Sequence, residues 1–342
     1  MEVCNPFEYP GWDELVARHE AASVFHTSNW ARTLAETYRY EPAYFASISN
    51  GELQDLIPVM KVSSLLTGRR GVSLPFTDYC EPILSDRGRI AEVLDILIRY
   101  GRESHWRHIE LRPEQALSEE FTPSLTYVGH SLDLSRSEDE IFSSVHSGTR
   151  RNVRKAIRAG VRVSALTSLD ATKRFYRLNC VTRKQHGLPP QPFRFFESLH
   201  HHVLSKDLGF VALASHEGKD LAGAVFFRLK DKALYKYSAS ETRFHDLRAN
   251  HLVMWEGIKK CRERGARRLS FGRTEKENEG LIQYKSGWGT DSYTIPYYKY
   301  DLEKRSFVTE TSRVTGLHNW LFRSMPIPLS RVLGSLLYRH IG

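Results

Sequence analysis

Residues 250–300 constrain the fold of this chain more than any other stretch. They read NHLVMWEGIKKCRERGARRLSFGRTEKENEGLIQYKSGWGTDSYTIPYYKY. Leu252, Val253, Trp255 and Ile258 recur at helical spacing, which predicts a helix capped by Asn250 and closed at Gly265, where the chain needs a positive φ. Residues 267–271 then form a short strand ended by Gly272, which delivers Arg273 at its C-terminal edge, a common place for ligand-binding side chains. A polar loop, 274–280, leads back to aromatics and a final strand, with Lys285 set between Tyr284 and Trp288. For an isolated lysine the ordinary reading is a stem covering apolar surface while the amine stays in water.

The first half repeats this order. Strands 43–48 and 53–62 are joined by Asn50-Gly51, a strong hairpin signal, and a third strand, 71–74, ends at Pro75. The helix 89–100 carries Ile90, Val93, Leu94, Leu97 and Ile98 on one face, is closed by Gly101, and precedes a strand at 108–111. In the second half a meander at 210–214, 221–229 and 233–239 precedes the helix that ends at Gly265. The pattern predicts an internal duplication of fold, with domains at 1–125 and 126–304 and a basic tail, 305–342. The tail's amphipathic helix, 329–341, is expected to pack on the first domain, an anionic membrane surface being its alternative.

Other helices are expected at 12–22, at 30–38 behind Ser28 or Asn29, at 169–185 and at 193–204. Ser137 and Glu140 form a capping box, and a further helix starts near Thr149. On that helix Arg150, Arg154 and Arg158 align at i, i+4 and i+8 beside Arg151 and Lys155, with no acidic residue from 142 to 169. Like charges so close repel, so a bound anion is the expected compensation. A formal charge of +9 over 342 residues points the same way.

Cys4, Cys80, Cys180 and Cys261 include no C-x-x-C pair, which suits a reducing cytosol and excludes a disulfide framework. His200, His201 and His202 are consecutive, so on a helix they point about 100° apart and do not converge on a metal. No apolar run is long enough to span a bilayer, and the expected location is cytoplasmic, reaching at most the inner face of the membrane.

Phe271-Gly272-Arg273, Gly280 and Tyr284-Lys285-Ser286-Gly287-Trp288-Gly289 resemble the closing motif of the FemAB-like branch of the GNAT acyltransferase superfamily. Residues 73–80 (SLPFTDYC), 149–156 (TRRNVRKA) and the turn Gly187-Leu188-Pro189 agree with it. The resemblance implies an α+β, or mixed α/β, architecture of tandem GNAT-like domains, each a mostly antiparallel mixed sheet flanked by helices, around a shared cleft. It implies an N-acyltransferase moving an acyl or aminoacyl group to an amine of a cell-envelope precursor or sugar, in peptidoglycan or polysaccharide biosynthesis. No bound cofactor is implied; acyl-CoA or aminoacyl-tRNA serves as co-substrate, and the acceptor is phosphorylated or lipid-linked.

On this reading Lys285 holds the donor phosphate or the developing oxyanion, Tyr284 or Tyr237 gives the leaving group a proton, and His245 is the base. Arg243, Arg248, Asn250 and Arg273 hold the donor. Asp78, Tyr79, Trp288 and the ridge of Arg150, Arg151, Arg154 and Arg158 face the acceptor. The donor loop, 243–249, departs from the superfamily by lacking glycines, which speaks against acetyl-CoA itself. The competing class is a non-catalytic module that binds an anionic glycan or lipid.

Overall fold

The computed structural model describes residues 1–310 and 318–342. The chain divides into two compact units. One comprises Met1–Val128, Thr294–Arg313 and Leu337–Gly342, the other Gly129–Tyr293 and Val314–Leu336.

In the first unit the Asn50-Gly51 hairpin forms as its turn chemistry dictates, both residues having positive φ. It joins Tyr44–Ser49 to Glu52–Ile57. Residues 53–62, expected as one strand, are two. Glu52–Ile57 pairs within a three-stranded sheet, whereas Met60–Ser64 pairs with Gly68–Ser73 in another. Pro58 lies between them; it fixes φ and offers no N–H to a ladder.

The helix Ile90–Glu103 buries Ile90, Val93, Leu94 and Leu97 and runs through Gly101 instead of stopping there. A Cβ on Gly101 would lie 3.0 Å from Leu302 and 3.1 Å from Trp106, so this glycine makes room for both side chains and does not end the helix. After it, His108–Leu111 pairs in parallel with Gly68–Ser73. The N-terminal helices are Trp12–Arg18 and Ser28–Tyr38, the second capped by Thr27. Ser28 and Asn29 instead donate to the Asp13 carboxylate.

Elements of the second unit are numbered here. Helices α1 (Glu138–Ser144) and α2 (Ser147–Arg158) precede strand β1 (Arg162–Leu166), and the Ser137–Glu140 capping box is present. Helices α3 (Leu169–Gln185) and α4 (Phe193–His202) follow. Strands β2 (Gly209–His216), β3 (Lys219–Leu229) and β4 (Lys232–Ser240) form the meander, and α5 (Ala249–Glu263) leads to β5 (Arg268–Thr274). The order is β5-β4-β3-β2-β1, antiparallel except for the parallel pair β4–β5. In both units, therefore, a helix returns the chain to a strand parallel to one it has already made.

Packing holds α5 close to the sheet. A Cβ on Gly257 would lie 2.2 Å from the Phe226 ring, and Phe226 stacks on Phe210 at 5.1 Å. Trp255 meets Phe142 of α1 at 4.6 Å. Burying side chains of this size stabilises by about 1.5–3 kcal/mol each.

Four local expectations are corrected here. Arg248, left-handed at φ 56, is the N-cap of α5, and Asn250 lies inside the helix. Strand β5 continues through Gly272 to Thr274. Residues 281–286, expected on the way back to a final strand, form α6 (Glu279–Ser286) together with the last two residues of the expected loop, and Asn278 caps its N-terminus through its side chain. In the tail, α7 (His318–Ser324) and α8 (Ile327–Leu337) follow; residues 338–342 pack on the first unit, the Tyr40 hydroxyl donating to the Tyr338 and Arg339 carbonyls, whereas α8 packs on the second. There the Arg331 guanidinium sits 5.3 Å over the Tyr176 ring, and Gly334 lies against the Pro190 carbonyl.

Candidate active site

The site begins where two parallel strands part. β4 and β5 are in register only from Lys232 and Arg268 to Leu234 and Ser270, although each runs on, to Ser240 and Thr274. Beyond that point β4 carries a bulge, since Val225 of β3 faces Tyr237 and Phe226 faces Tyr235, which leaves Lys236 extra. A cavity of about 200 Å³ opens there, lined by Tyr235, Ser238 and Ser240 of β4, Asn250, Val253 and Met254 of α5, Leu281 and Tyr284 of α6, and Thr182 and His186. The first turn of α5 thus lies at the cavity wall, where the positive end of the helix dipole favours negative charge.

A second cavity, about 730 Å³, is lined by the start of α2 from His146 to Thr149, by Asn152 and His251, and by Gly280, Gln283, Tyr284 and Gly287. Tyr284 therefore lines both cavities. Burial, with Tyr235 nearby, holds its hydroxyl well above the usual phenol range, so it keeps its proton. The His251 ring meets the Tyr284 ring edge-on at 5.6 Å. Asn152 Nδ2 donates to His251 Nε2 at 3.2 Å, which puts the ring proton on Nδ1, 3.1 Å from Asn250 Oδ1.

Lys285 is buried, with 3% of its surface exposed, and its amine donates to the carbonyls of Gly272 and Arg273 at 3.1 Å each. The stem-over-surface reading is excluded, because the charge itself is inside. Beside it, Ser286 Oγ lies 3.2 Å from Nε2 of the fully buried His130. Arg273 is half-buried on β5.

The other expected residues divide. His245 is exposed, yet its Nε2 lies 3.3 Å from Ser240 Oγ, which lines the smaller cavity. Arg243 forks onto the Glu241 carboxylate at 3.2 and 3.1 Å. Arg248 buries its Nε with no hydrogen-bond partner among the described residues. Tyr237 packs its ring on Phe195 and Phe196 of α4. Trp288 is wholly buried, so its expected acceptor contact is corrected to a core position. Asp78 and Tyr79 belong to the first unit, where the Tyr297 hydroxyl donates to the Asp78 carbonyl at 2.7 Å. Arg151, Arg154 and Arg158 are exposed and Arg150 half-buried, and among the described residues none forms an ion pair.

His251 and His130 were invisible in the sequence, and Asn152 stood there only as one letter of the stretch 149–156. A single histidine behind an asparagine carries no periodic or spacing signal, and only packing shows that it is buried beside a tyrosine.

Burial pushes both His251 and His130 down to about 4, with Arg248 and Lys285 respectively adding to it. An unfolded histidine titrates near 6.5, so between about 6.5 and 4 the unfolded chain binds protons that the folded chain does not. Their contribution is present above the unfolded value and is lost as pH falls toward 4. Urea unfolding at pH 7, 5.5 and 4.5 is expected to show stability dropping by up to about 1.4 kcal/mol per pH unit for each histidine, and His251→Gln should flatten part of that slope.

A sheet whose fourth and fifth strands part around a cavity, with a helix starting at its wall, defines a GNAT-type fold. Residues 143–286 match the profile of the Acetyltransferase (GNAT) domain family. FemX has this architecture, with a TM-score of 0.70 at 18% identity over 89% of this chain and 98% of that one. A tandem GNAT protein from the clavulanic acid biosynthesis pathway has a TM-score of 0.54 at 10% identity over 88% of this chain and 98% of that one. In sequence, the Lipid II:glycine glycyltransferase of Staphylococcus aureus is 34% identical over 93 residues, 25% of this chain and 22% of that protein. The match thus spans less than a quarter of the curated relative. Residues 143–286 thus match a GNAT domain, and the chain shares the fold of FemX.

Proposed function

We propose that this chain is an N-acyltransferase that moves an acyl or aminoacyl group to an amine of a lipid-linked cell-envelope precursor. The parting of β4 and β5 around the smaller cavity carries the reading, because it leaves room for an activated acyl group beside fixed dipoles. The amine attacks the donor carbonyl directly. Its nitrogen bonds to the carbonyl carbon, its proton passes through Ser240 to His245, and the bond to the leaving group breaks as Tyr284 returns a proton. Lys285 positions the end of β5 through the Gly272 and Arg273 carbonyls. The larger cavity and the arginines of α2 take the phosphorylated part of the acceptor.

A second reading of the donor, aminoacyl-tRNA in place of acyl-CoA, is favoured by the donor loop. Arg248 stands where a close phosphate approach needs a bare backbone, and Glu241 already holds Arg243. The relative's name, a glycyltransferase acting on Lipid II, agrees. A lipid-linked acceptor would bring the chain to the inner membrane face.

Offering acetyl-CoA, longer acyl-CoAs and charged tRNAs with a lipid-linked aminated acceptor, and reading the product by mass spectrometry, tests the reading. Transfer from charged tRNA alone selects the second donor. No acylated amine from any donor would leave the binding module. With the active donor, Arg154→Glu is expected to raise the acceptor KM about tenfold at low salt and less at high salt, with the melting temperature lowered only slightly because the side chain is exposed and gives up its contact over the Phe142 ring. An unchanged KM would make the ridge a merely solvated face.

A further inference from the structure

The helix α8 is packed inside out. Its small Ser330 and Gly334, four residues apart, are buried, with Gly334 against the Pro190 carbonyl. Leu329, Val332 and Leu336, at i, i+3 and i+7, share the opposite face and are 51%, 56% and 58% exposed. An amphipathic helix that served the core would bury that ridge. On α7, Trp320 is 74% and Leu321 48% exposed. Large apolar side chains grouped on consecutive helices mark an interaction surface.

Charge selects the occupant. Residues 311–342 contain no aspartate or glutamate and four arginines; Arg323 is exposed on α7, and Arg331 on α8 is exposed with its guanidinium over the Tyr176 ring. No described helix is long and apolar enough to cross a membrane. Short helices with an outward apolar ridge and basic flanks suit the plane of an anionic bilayer surface, where the apolar face enters the headgroup boundary and the arginines meet lipid phosphates. We infer that α7 and α8 form a docking surface for an anionic lipid membrane. The purpose of such docking, access to a lipid-linked acceptor, rests on the function proposed above; the docking itself rests on these helices alone.

The test is co-sedimentation of the full chain with vesicles of phosphatidylcholine mixed with phosphatidylglycerol, and with phosphatidylcholine alone. Wild type is expected to bind the anionic vesicles and to be released by salt. The triple variant Leu329→Ser, Val332→Ser, Leu336→Ser should bind at least about tenfold more weakly. All three positions are exposed, so its melting temperature should match wild type. Equal binding by both proteins, or none by wild type, overturns the inference. Concentration-dependent dimerisation lost in the triple variant, without vesicle binding, would assign the ridge to a second copy of the chain and also overturns it. Transfer to a water-soluble acceptor fragment should be the same in both proteins. If transfer is absent from both while vesicle binding stands, the functional reading alone has failed.

Discussion

Lys285→Met is expected to cut transfer turnover by about 100-fold by displacing the end of β5, with the loss in kcat and little change in acceptor KM. The methionine keeps the stem and removes the ammonium, which is buried and donates to the Gly272 and Arg273 carbonyls at 3.1 Å each. These carbonyls lie on β5, the strand that parts from β4 around the smaller cavity. Two acceptors would lose a charge-assisted donor, so unfolding free energy should also fall, by about 1–3 kcal/mol. Lys285→Arg is expected to fail as a rescue, because a planar guanidinium does not reproduce a compact ammonium between two carbonyls. Steady-state kinetics beside urea unfolding decide the role. A destabilised variant that turns over at the wild-type rate would leave Lys285 a purely structural lysine.

Trp288→Ala is expected to destabilise the second unit by about 3–5 kcal/mol, the range for truncating a fully buried large aromatic. Its ring lies 6.3 Å from both the His251 and the Tyr284 rings, so the void would open beside the larger cavity. Trp288→Phe should keep most of the stability, because phenylalanine refills most of the volume of the buried indole. Denaturant unfolding of the two variants checks this. Unaltered unfolding in Trp288→Ala with a weakened acceptor KM would return the indole to the acceptor surface.

The candidate site was legible in part. Tyr284 and Lys285 stood out because a short glycine-bounded motif resembles a known family; in the structure Tyr284 lines both cavities and Lys285 meets the end of β5. The reasons assigned to individual residues fared unevenly. Lys285 was expected to face a ligand and holds backbone; Trp288 was expected at an acceptor and is core; Arg243 is occupied by Glu241 two residues away. His251 and Asn152 come from α5 and α2 and meet only because those helices pack together. No local pattern records such a meeting.

What the sequence determined by itself is what depends on neighbours along the chain. The Asn50-Gly51 hairpin, the Ser137–Glu140 capping box, the helix Leu169–Gln185 and the repeated order of helix then strand follow from turn chemistry, capping and periodicity within a few residues. Tertiary structure alone decided the rest. It runs the first unit's helix through Gly101 because the Leu302 and Trp106 side chains need the space, and makes eight residues without an apolar stripe into α6. It also turns the apolar ridge of α8 outward while its small residues take the contact with the protein. In each case the free energy is set by close contact between segments far apart in the chain, where the shape of the partner, and not the hydrophobicity of the residue, determines which face is buried.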